Sequence, residues 1–135
     1  MEKSFKKLTD LNKKFREECV WHREQTLHSF AHKLKEEAGE VLEALEDNDA
    51  DQLKEELGDL LWDVLFMIRL AEDKKLFDAK SLFDETHEKM IRRNPHLYEK
   101  KTDDMDEIWK MYYEVKAKDK EAKANRKKRP IGEEK

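Results

Sequence analysis

Two segments of nearly the same sequence decide the fold of this chain. Residues 34–42 read LKEEAGEVL, and residues 53–61, nineteen positions later, read LKEELGDLL. In both segments apolar residues recur at spacings of three and four, a pattern that predicts amphipathic helices. The polar stretch EDNDAD at residues 46–51 lies between them and predicts a short connection. We therefore expect the two helices to pack as antiparallel neighbours.

The apolar spacing along the rest of the chain also predicts helices. Thr26, Asp78 and Thr102 are suited to cap the helices that follow them. A helix is expected to end before Asn94, because the residue preceding Pro95 disfavours the helical conformation. The predicted helices cover about residues 5–15, 26–46, 51–73 and 79–93, with another from 102 onward and a connector at 19–25. We expect an all-α fold, a bundle of four to five helices around the central antiparallel pair.

Composition excludes several classes of protein. The chain of 135 residues has 29 Lys+Arg and 33 Asp+Glu but only three Gly and two Pro, which is too few turn residues for an all-β fold. Its apolar runs are too short to cross a bilayer, and no apolar N-terminal segment resembles a secretory signal. Cys19 is the only cysteine and cannot form a disulfide framework. We expect a soluble cytoplasmic protein that does not bind membranes.

The C-terminal part of the chain is strongly basic. Residues 116–129 contain eight Lys or Arg against two acidic residues. Such a segment could bind nucleic acid, or it could be the solvated end of a helix or a tail. We favour the second interpretation, because no aromatic residue for base stacking follows Tyr113. We divide the chain into a domain at 1–115 and a basic helix end or tail at 116–135.

The predicted helix at 51–73 is apolar on nearly all sides. Its main stripe includes Leu57, Leu61 and Val64, while Trp62 and Phe66 project from the opposite side. A helix that is apolar all round is normally buried all round. In so short a chain a second subunit would have to supply part of the cover, so we predict a homodimer or a higher homo-oligomer.

Four carboxylates occupy mirrored positions about the predicted turn. Glu40 and Glu56 are each eight residues from Asn48, and Glu37 and Asp59 are each eleven residues from it. Residues three apart are neighbours on a helix, and antiparallel packing brings equal heights together. The four side chains should therefore converge in one patch.

Converging carboxylates repel one another unless a proton or a cation intervenes. Oxygen-only ligands favour Mg²⁺ or Mn²⁺ over Zn²⁺. The alternative is that these are solvent-facing carboxylates in an acidic chain. Lys89 and Arg93 are predicted near the inward side of their helix and need an anionic partner. That partner could be the carboxylates themselves or a polyphosphate.

Four motifs in order resemble one known family. The chain has EEAGE at residues 36–40 and ELGD at 56–59, matching EExxE and ExxD. It also has CVWHREQT at 19–26, similar to CPWDxxQT, and KMIRRNPH at 89–96, similar to KxIRRxPH. Together these resemble the MazG-like nucleoside triphosphate pyrophosphohydrolases of the all-α pyrophosphatase superfamily.

The resemblance implies a usually dimeric helical bundle that uses Mg²⁺ to hydrolyse nucleoside triphosphates between the α and β phosphates. Val20, His22 and Leu27 depart from the family pattern and leave base preference open. The alternatives are a non-enzymatic helical scaffold or a nucleic-acid-binding module that uses the basic tail. By position, the resemblance implies metal ligands at Glu37, Glu40, Glu56 and Asp59, a catalytic carboxylate at Glu36, phosphate-binding Lys89, Arg92 and Arg93, and nucleotide-pocket residues Trp21 and Gln25.

Overall fold

The computed structural model describes residues 1–132, and within them every regular element is helical. The elements are α1 (Glu2–Glu18), α2 (Val20–Glu24), α3 (Leu27–Glu46), α4 (Ala50–Asp73), α5 (Ala79–Arg93), a 3₁₀ turn (Pro95–Leu97) and α6 (Met105–Asn125). The predicted all-α class is confirmed. The described range holds six α-helices instead of four to five, because the predicted connector at 19–25 contains the short helix α2. None of these helices combines the length and apolarity needed to span a membrane.

The ends of the helices follow side-chain capping. Thr26 caps α3, as the sequence predicted, and the structure shows a capping box with Ser29. Asn48 adopts a left-handed φ of 53° in the turn, and Asp49 then accepts hydrogen bonds from the first amides of α4. The predicted cap of α6 was wrong. Asp104 caps this helix, two residues after Thr102, because its carboxylate reaches two free amides at the helix start.

The described residues form two compact units. The first contains residues 1–79 with Gly132, and the second contains residues 80–131. In the first unit α4 packs against both α1 and α3, and α1 also contacts α2. In the second unit α6 packs against the 3₁₀ turn. The basic residues between positions 116 and 125 lie in the last part of α6, which ends at Asn125.

The core of the first unit lies on the side of α4 that the sequence treated as secondary. Phe66 and Leu70 on α4 pack with Phe30 of α3, and each is at most 2% exposed. By contrast, Leu61 and Val64 of the predicted main stripe remain about 40% exposed. The apolar pattern identified both faces but did not say which of them is buried within one chain; the structure buries Phe66, together with Ile68 of the predicted main stripe.

Candidate active site

The antiparallel pairing of α3 and α4 brings the predicted carboxylates together. Glu37 of α3 and Glu56 and Asp59 of α4 each place one oxygen within 4.8 Å of the others. Glu40 joins the group, because its side chain hydrogen-bonds with both Glu37 and Glu56. The convergence expected from the mirrored spacing is therefore present in the folded chain.

The cluster carries more negative charge than its surroundings accommodate easily. Burial, the hydrogen bond with Glu40 and repulsion from neighbouring carboxylates raise the pKa of Glu37 to about 7. The hydrogen bond with Glu40, followed by desolvation and nearby carboxylates, raises the pKa of Glu56. Two of these side chains thus hold protons more tightly than usual, because burial and the neighbouring carboxylates both disfavour the ionised form.

The residues present fit a hard divalent cation. Glu37 Oε2 and Glu56 Oε2 are buried and have no hydrogen-bond partner within residues 1–132. Buried polar atoms are normally paired, so these oxygens are suited to a ligand. All four side chains offer carboxylate oxygen, the donor type that Mg²⁺ prefers. The set therefore fits Mg²⁺ or Mn²⁺ better than Zn²⁺.

A cleft of about 260 Å³ opens beside the carboxylates. One part of its wall is acidic, and most of the rest is aromatic. It is lined by Trp21, His22, Phe30, Lys33, Glu37, Asp59, Trp62 and Asp63. Flat apolar walls next to a cation-binding group form a surface on which an aromatic ring and an attached anion could both be held.

The position of Trp21 and His22 is set by Arg16 of α1. One nitrogen, Nη1, donates to the backbone oxygens of His22 at 2.6 Å, Arg23 at 2.9 Å and Gln25 at 3.1 Å. Its Nε donates to Asp73 at 2.8 Å. Arg16 therefore satisfies the free carbonyls at the end of α2. A helix of only five residues could not keep its own position without such a partner.

Two charged residues of the cleft were missed by the sequence analysis. Lys33 lies with its Nζ 5.3 Å from the centre of the Trp21 ring, and Asp63 is only 6% exposed. Burial raises the pKa of Asp63, and the positive charge of Lys33 opposes that rise. Asp63 could have been found, because it is the one charged residue in the apolar run at 60–68. Nothing distinguishes Lys33 among the many lysines of the chain.

The other residues predicted at the N-terminal side of the site differ in placement. Trp21 lines the cleft. Gln25 does not, since its amide donates to the Trp21 carbonyl and accepts from Ser29. Glu36 is exposed on α3, and its charge acts on Asp63. Glu36 does not belong to the group of oxygens within 4.8 Å in the described part of the chain.

The predicted phosphate-binding residues lie on α5. Arg92 and Arg93 both pair with Asp119 of α6, at 3.0 and 2.9 Å, inside the second unit. These contacts lower the pKa of Asp119. The sequence suggested two anionic partners for Arg93, the clustered carboxylates or a polyphosphate. In the structure its partner is a different group, the carboxylate of Asp119. Lys89 is half-buried on the same helix.

A comparison with protein families decides the relationship. The MazG nucleotide pyrophosphohydrolase domain matches residues 25–98, more than half of the chain. The chain belongs to this family. The family expected from the four motifs is therefore confirmed.

Individual MazG relatives share about a third of their aligned residues with the chain. It is 35% identical over 118 residues to the nucleoside triphosphate pyrophosphohydrolase/pyrophosphatase MazG of Thermotoga maritima, covering 86% of this chain and 45% of that protein. It is 33% identical over 107 residues to the nucleoside triphosphate pyrophosphohydrolase of Escherichia coli strain K12, covering 78% and 41%. The chain thus spans less than half the length of these curated relatives.

A solved MazG-related structure has the same fold. The crystal structure of a MazG-related protein from Thermotoga maritima superposes with a TM-score of 0.76 at 28% identity. The superposition covers 83% of this chain and 98% of that one. The helical arrangement described above is therefore that of a MazG-related protein.

Proposed function

We propose that this MazG-family chain is a Mg²⁺-dependent nucleoside triphosphate pyrophosphohydrolase that cleaves between the α and β phosphates. The observation that carries the proposal is the convergence of Glu37, Glu40, Glu56 and Asp59 beside an aromatic cleft. The curated relatives named above are nucleoside triphosphate pyrophosphohydrolases. A single cysteine in the sequence agrees with action in the reducing cytoplasm, where we propose that the protein works.

The four clustered carboxylates would hold the cation. Bound Mg²⁺ neutralises negative charge on phosphate oxygens and on the leaving group. Mn²⁺ has the same preference for oxygen ligands and would replace it. The raised pKa values of Glu37 and Glu56 support this role, because a cation would relieve the carboxylate repulsion that contributes to them.

The reaction needs a water molecule, a base and a place for the leaving group. The water oxygen forms a bond to the α phosphorus while the bond from that phosphorus to the α–β bridging oxygen breaks. The water proton passes to a carboxylate, and pyrophosphate leaves with the bridging oxygen. We assign the base role to Glu36, which is exposed and adjacent in sequence to Glu37.

The remaining residues would bind the two ends of the substrate. Trp21 offers an indole ring at the cleft for the nucleobase, and Gln25 supports it through the hydrogen bond to the Trp21 carbonyl. Lys89, Arg92 and Arg93 would bind phosphate oxygens, since guanidinium and ammonium groups suit them. The two arginines already hold one carboxylate, Asp119, so a phosphate would compete with a group of similar charge.

Product analysis tests the proposal. The protein is incubated with each NTP and dNTP and Mg²⁺ in ¹⁸O-labelled water, and the products are separated and weighed by mass spectrometry. We expect monophosphate carrying the label and unlabelled pyrophosphate. Label in the pyrophosphate would place the attack at the β phosphorus, and release of diphosphate with orthophosphate would contradict the proposed bond.

Variants connect the activity to the cluster. Glu40→Gln and Asp59→Asn are expected to abolish turnover, while Glu43→Gln, an exposed carboxylate on the same helix as Glu40, should keep it. Glu36→Gln should lower kcat with little effect on metal affinity. Full turnover in Glu40→Gln and Asp59→Asn would remove them from the site, and an absent metal effect would favour a helical scaffold.

We also propose that the chain functions as a homodimer. Leu57, Leu61 and Val64 lie on one face of α4 and are 41–49% exposed, and Leu42 of α3 is 62% exposed. A continuous exposed apolar face commonly marks a protein interface. Sedimentation velocity should show a dimer that Leu61→Glu dissociates, while Leu97→Glu, at an exposed leucine in the second unit, leaves it intact. A monomeric wild-type protein would contradict the proposal.

A further inference from the structure

Asp63 is an unusual residue in the interior of the first unit. It lies on α4 among the core residues Leu65 and Phe66 and is only 6% exposed. Its Oδ2 is buried and finds no hydrogen-bond partner anywhere in the described chain. An unpaired buried acceptor lowers stability, so such an atom in a cleft wall indicates a group that completes its pairing when a ligand binds.

The metal cluster does not account for this oxygen. The oxygens that approach one another within 4.8 Å in residues 1–132 come from Glu37, Glu56 and Asp59, and Asp63 is not among them. Asp63 lies one helical turn after Asp59 and lines the cleft instead. It is therefore placed beyond the cation site, on the side where the cleft becomes aromatic.

The surroundings of Asp63 indicate which part of a ligand would contact it. Trp21 and Trp62 provide flat rings, on which nucleobases stack. The cleft of about 260 Å³ is smaller than the roughly 300–1,000 Å³ of pockets that enclose whole ligands, so it suits the base alone. Phosphate groups would be repelled by the carboxylate, which excludes them from this end.

Asp63 and Lys33 together present complementary hydrogen-bonding groups. The carboxylate oxygen accepts, while the ammonium of Lys33 donates and is close enough to act on the charge of Asp63. Lys33 also lies over the rings of Trp21 and Phe30, at 5.3 and 5.9 Å from their centres. An amino group next to a ring nitrogen or carbonyl, as in cytosine or guanine, matches this acceptor and donor pair.

We propose that Asp63 is a specificity-determining residue that accepts a hydrogen bond from the exocyclic amino group of the substrate's base, with Lys33 donating to the neighbouring ring acceptor. The inference rests on the proposed hydrolysis of nucleoside triphosphates. According to this proposal, one buried oxygen, Asp63 Oδ2, makes the protein prefer bases with an amino group over bases with an oxo group at the same position. A ribose hydroxyl is the other donor that a nucleotide could offer, and the experiment separates the two.

The kinetic test uses substrates that differ at the amino group. Values of kcat/KM are compared for CTP against UTP and for GTP against XTP. We expect the wild-type protein to favour the amino-bearing member by about 10- to 100-fold, the range of one charge-assisted hydrogen bond. Asp63→Leu removes the acceptor at similar size, and the ratio should fall to near one. Asp63→Asn can also donate, so the ratio should shift towards the oxo member.

A control variant and a metal-affinity measurement test whether the effect of Asp63→Leu concerns the base alone. Asp51→Leu, at an exposed position on α4, should keep the wild-type ratio. Affinity for Mn²⁺ alone is measured for each protein and should not change in Asp63→Leu. A lost metal affinity would make Asp63 part of the metal site and overturn the proposal. A changed ratio of CTP to dCTP with an unchanged ratio of CTP to UTP would show that Asp63 contacts the sugar, which also overturns it.

A binding measurement separates failure of this inference from failure of the proposed function. Titration calorimetry compares CMP with UMP and GMP with XMP in the wild-type protein and in Asp63→Leu, with no reaction taking place. If NTPs are hydrolysed but the ratios do not depend on Asp63, the inference is wrong and the proposed function stands. If no NTP is hydrolysed, the proposed function fails, and equal affinities within each monophosphate pair would reject the role of Asp63 as well.

Discussion

Replacing Glu37 by glutamine should make the metal-free protein more stable and remove its response to magnesium. Glu37 has the most strongly perturbed carboxylate of the cluster, with a pKa raised to about 7. Glutamine keeps the size and removes the charge. If Glu37 is present to bind metal, its charge should lower the free energy of unfolding when no metal is bound.

The size of the effect follows from the distances. Oxygens of Glu37, Glu56 and Asp59 lie within 4.8 Å of one another. Each carboxylate at that distance repels an ionised Glu37 by roughly 1 kcal/mol with the screening of water. Removing the charge of Glu37 should stabilise the metal-free protein by about 2 kcal/mol, or about 6 to 10 °C in Tm for a chain of this size.

The raised pKa of Glu37 predicts the direction in which the stability of the wild-type protein changes with pH. The usual pKa of a glutamate is 4.5, and in the folded protein Glu37 titrates at about 7. Between these values the native state holds a proton that the unfolded state has released, so stability of the wild-type protein falls as pH rises through this window. The gain in Tm from Glu37→Gln should be small at pH 5 and full at pH 8.

Thermal unfolding with EDTA and with MgCl₂ at pH 5 and 8 measures these effects. Saturating Mg²⁺ at about 100 times its dissociation constant should stabilise the wild-type protein by about 2.7 kcal/mol. Glu37→Gln should lose most of that response. Glu43→Gln, an exposed glutamate on α3, serves as the control and should match the wild type. A destabilised Glu37→Gln at pH 8, or one that still responds fully to Mg²⁺, would refute the reasoning.

Three further predictions concern the scaffold of the site. Arg16→Lys keeps the charge, but one ammonium group cannot replace both Nη1, which donates to three carbonyls, and Nε, which donates to Asp73, so urea unfolding should show a loss of about 2 to 3 kcal/mol. Unchanged stability would show that these contacts are dispensable. Thr26→Ala removes the capping box of α3 and should cost about 1 kcal/mol, whereas Thr26→Ser should cost little. Equal values for the two variants would contradict the cap. Phe66→Ala empties the centre of the core and should cost about 3 to 5 kcal/mol, and a loss below about 1 kcal/mol would place the core elsewhere.

Much of the fold could be predicted because its signals are local. The start of α3 follows from Thr26, and the end of α5 follows from Pro95, which disfavours helix in the residue before it. The short helix α2 could not be predicted, because five residues do not form a stable helix alone. It exists because Arg16, a residue on another helix, satisfies its last carbonyls.

The carboxylate cluster could also be predicted, since a helical period and a short turn fix where Glu37 and Asp59 meet. The lining of the aromatic cleft beside the cluster could not be predicted. Whether Asp63 lies in a cleft or in solvent depends on where α1 packs against α4 and where α2 packs against α1, and that packing leaves no periodic trace. The predicted roles of Lys89, Arg92 and Arg93 in binding phosphate stay predictions.

The sequence by itself determined the helical class, the antiparallel pair and the meeting of its acidic residues, because these depend on contacts between positions close along the chain. Only the tertiary structure decided which face of α4 is buried, which carboxylate holds Arg93 and which charged side chains enter the aromatic cleft. The physical reason is that burial is a property of neighbours distant in sequence. An apolar stripe shows that a face can be covered, and only the packed chain shows what covers it.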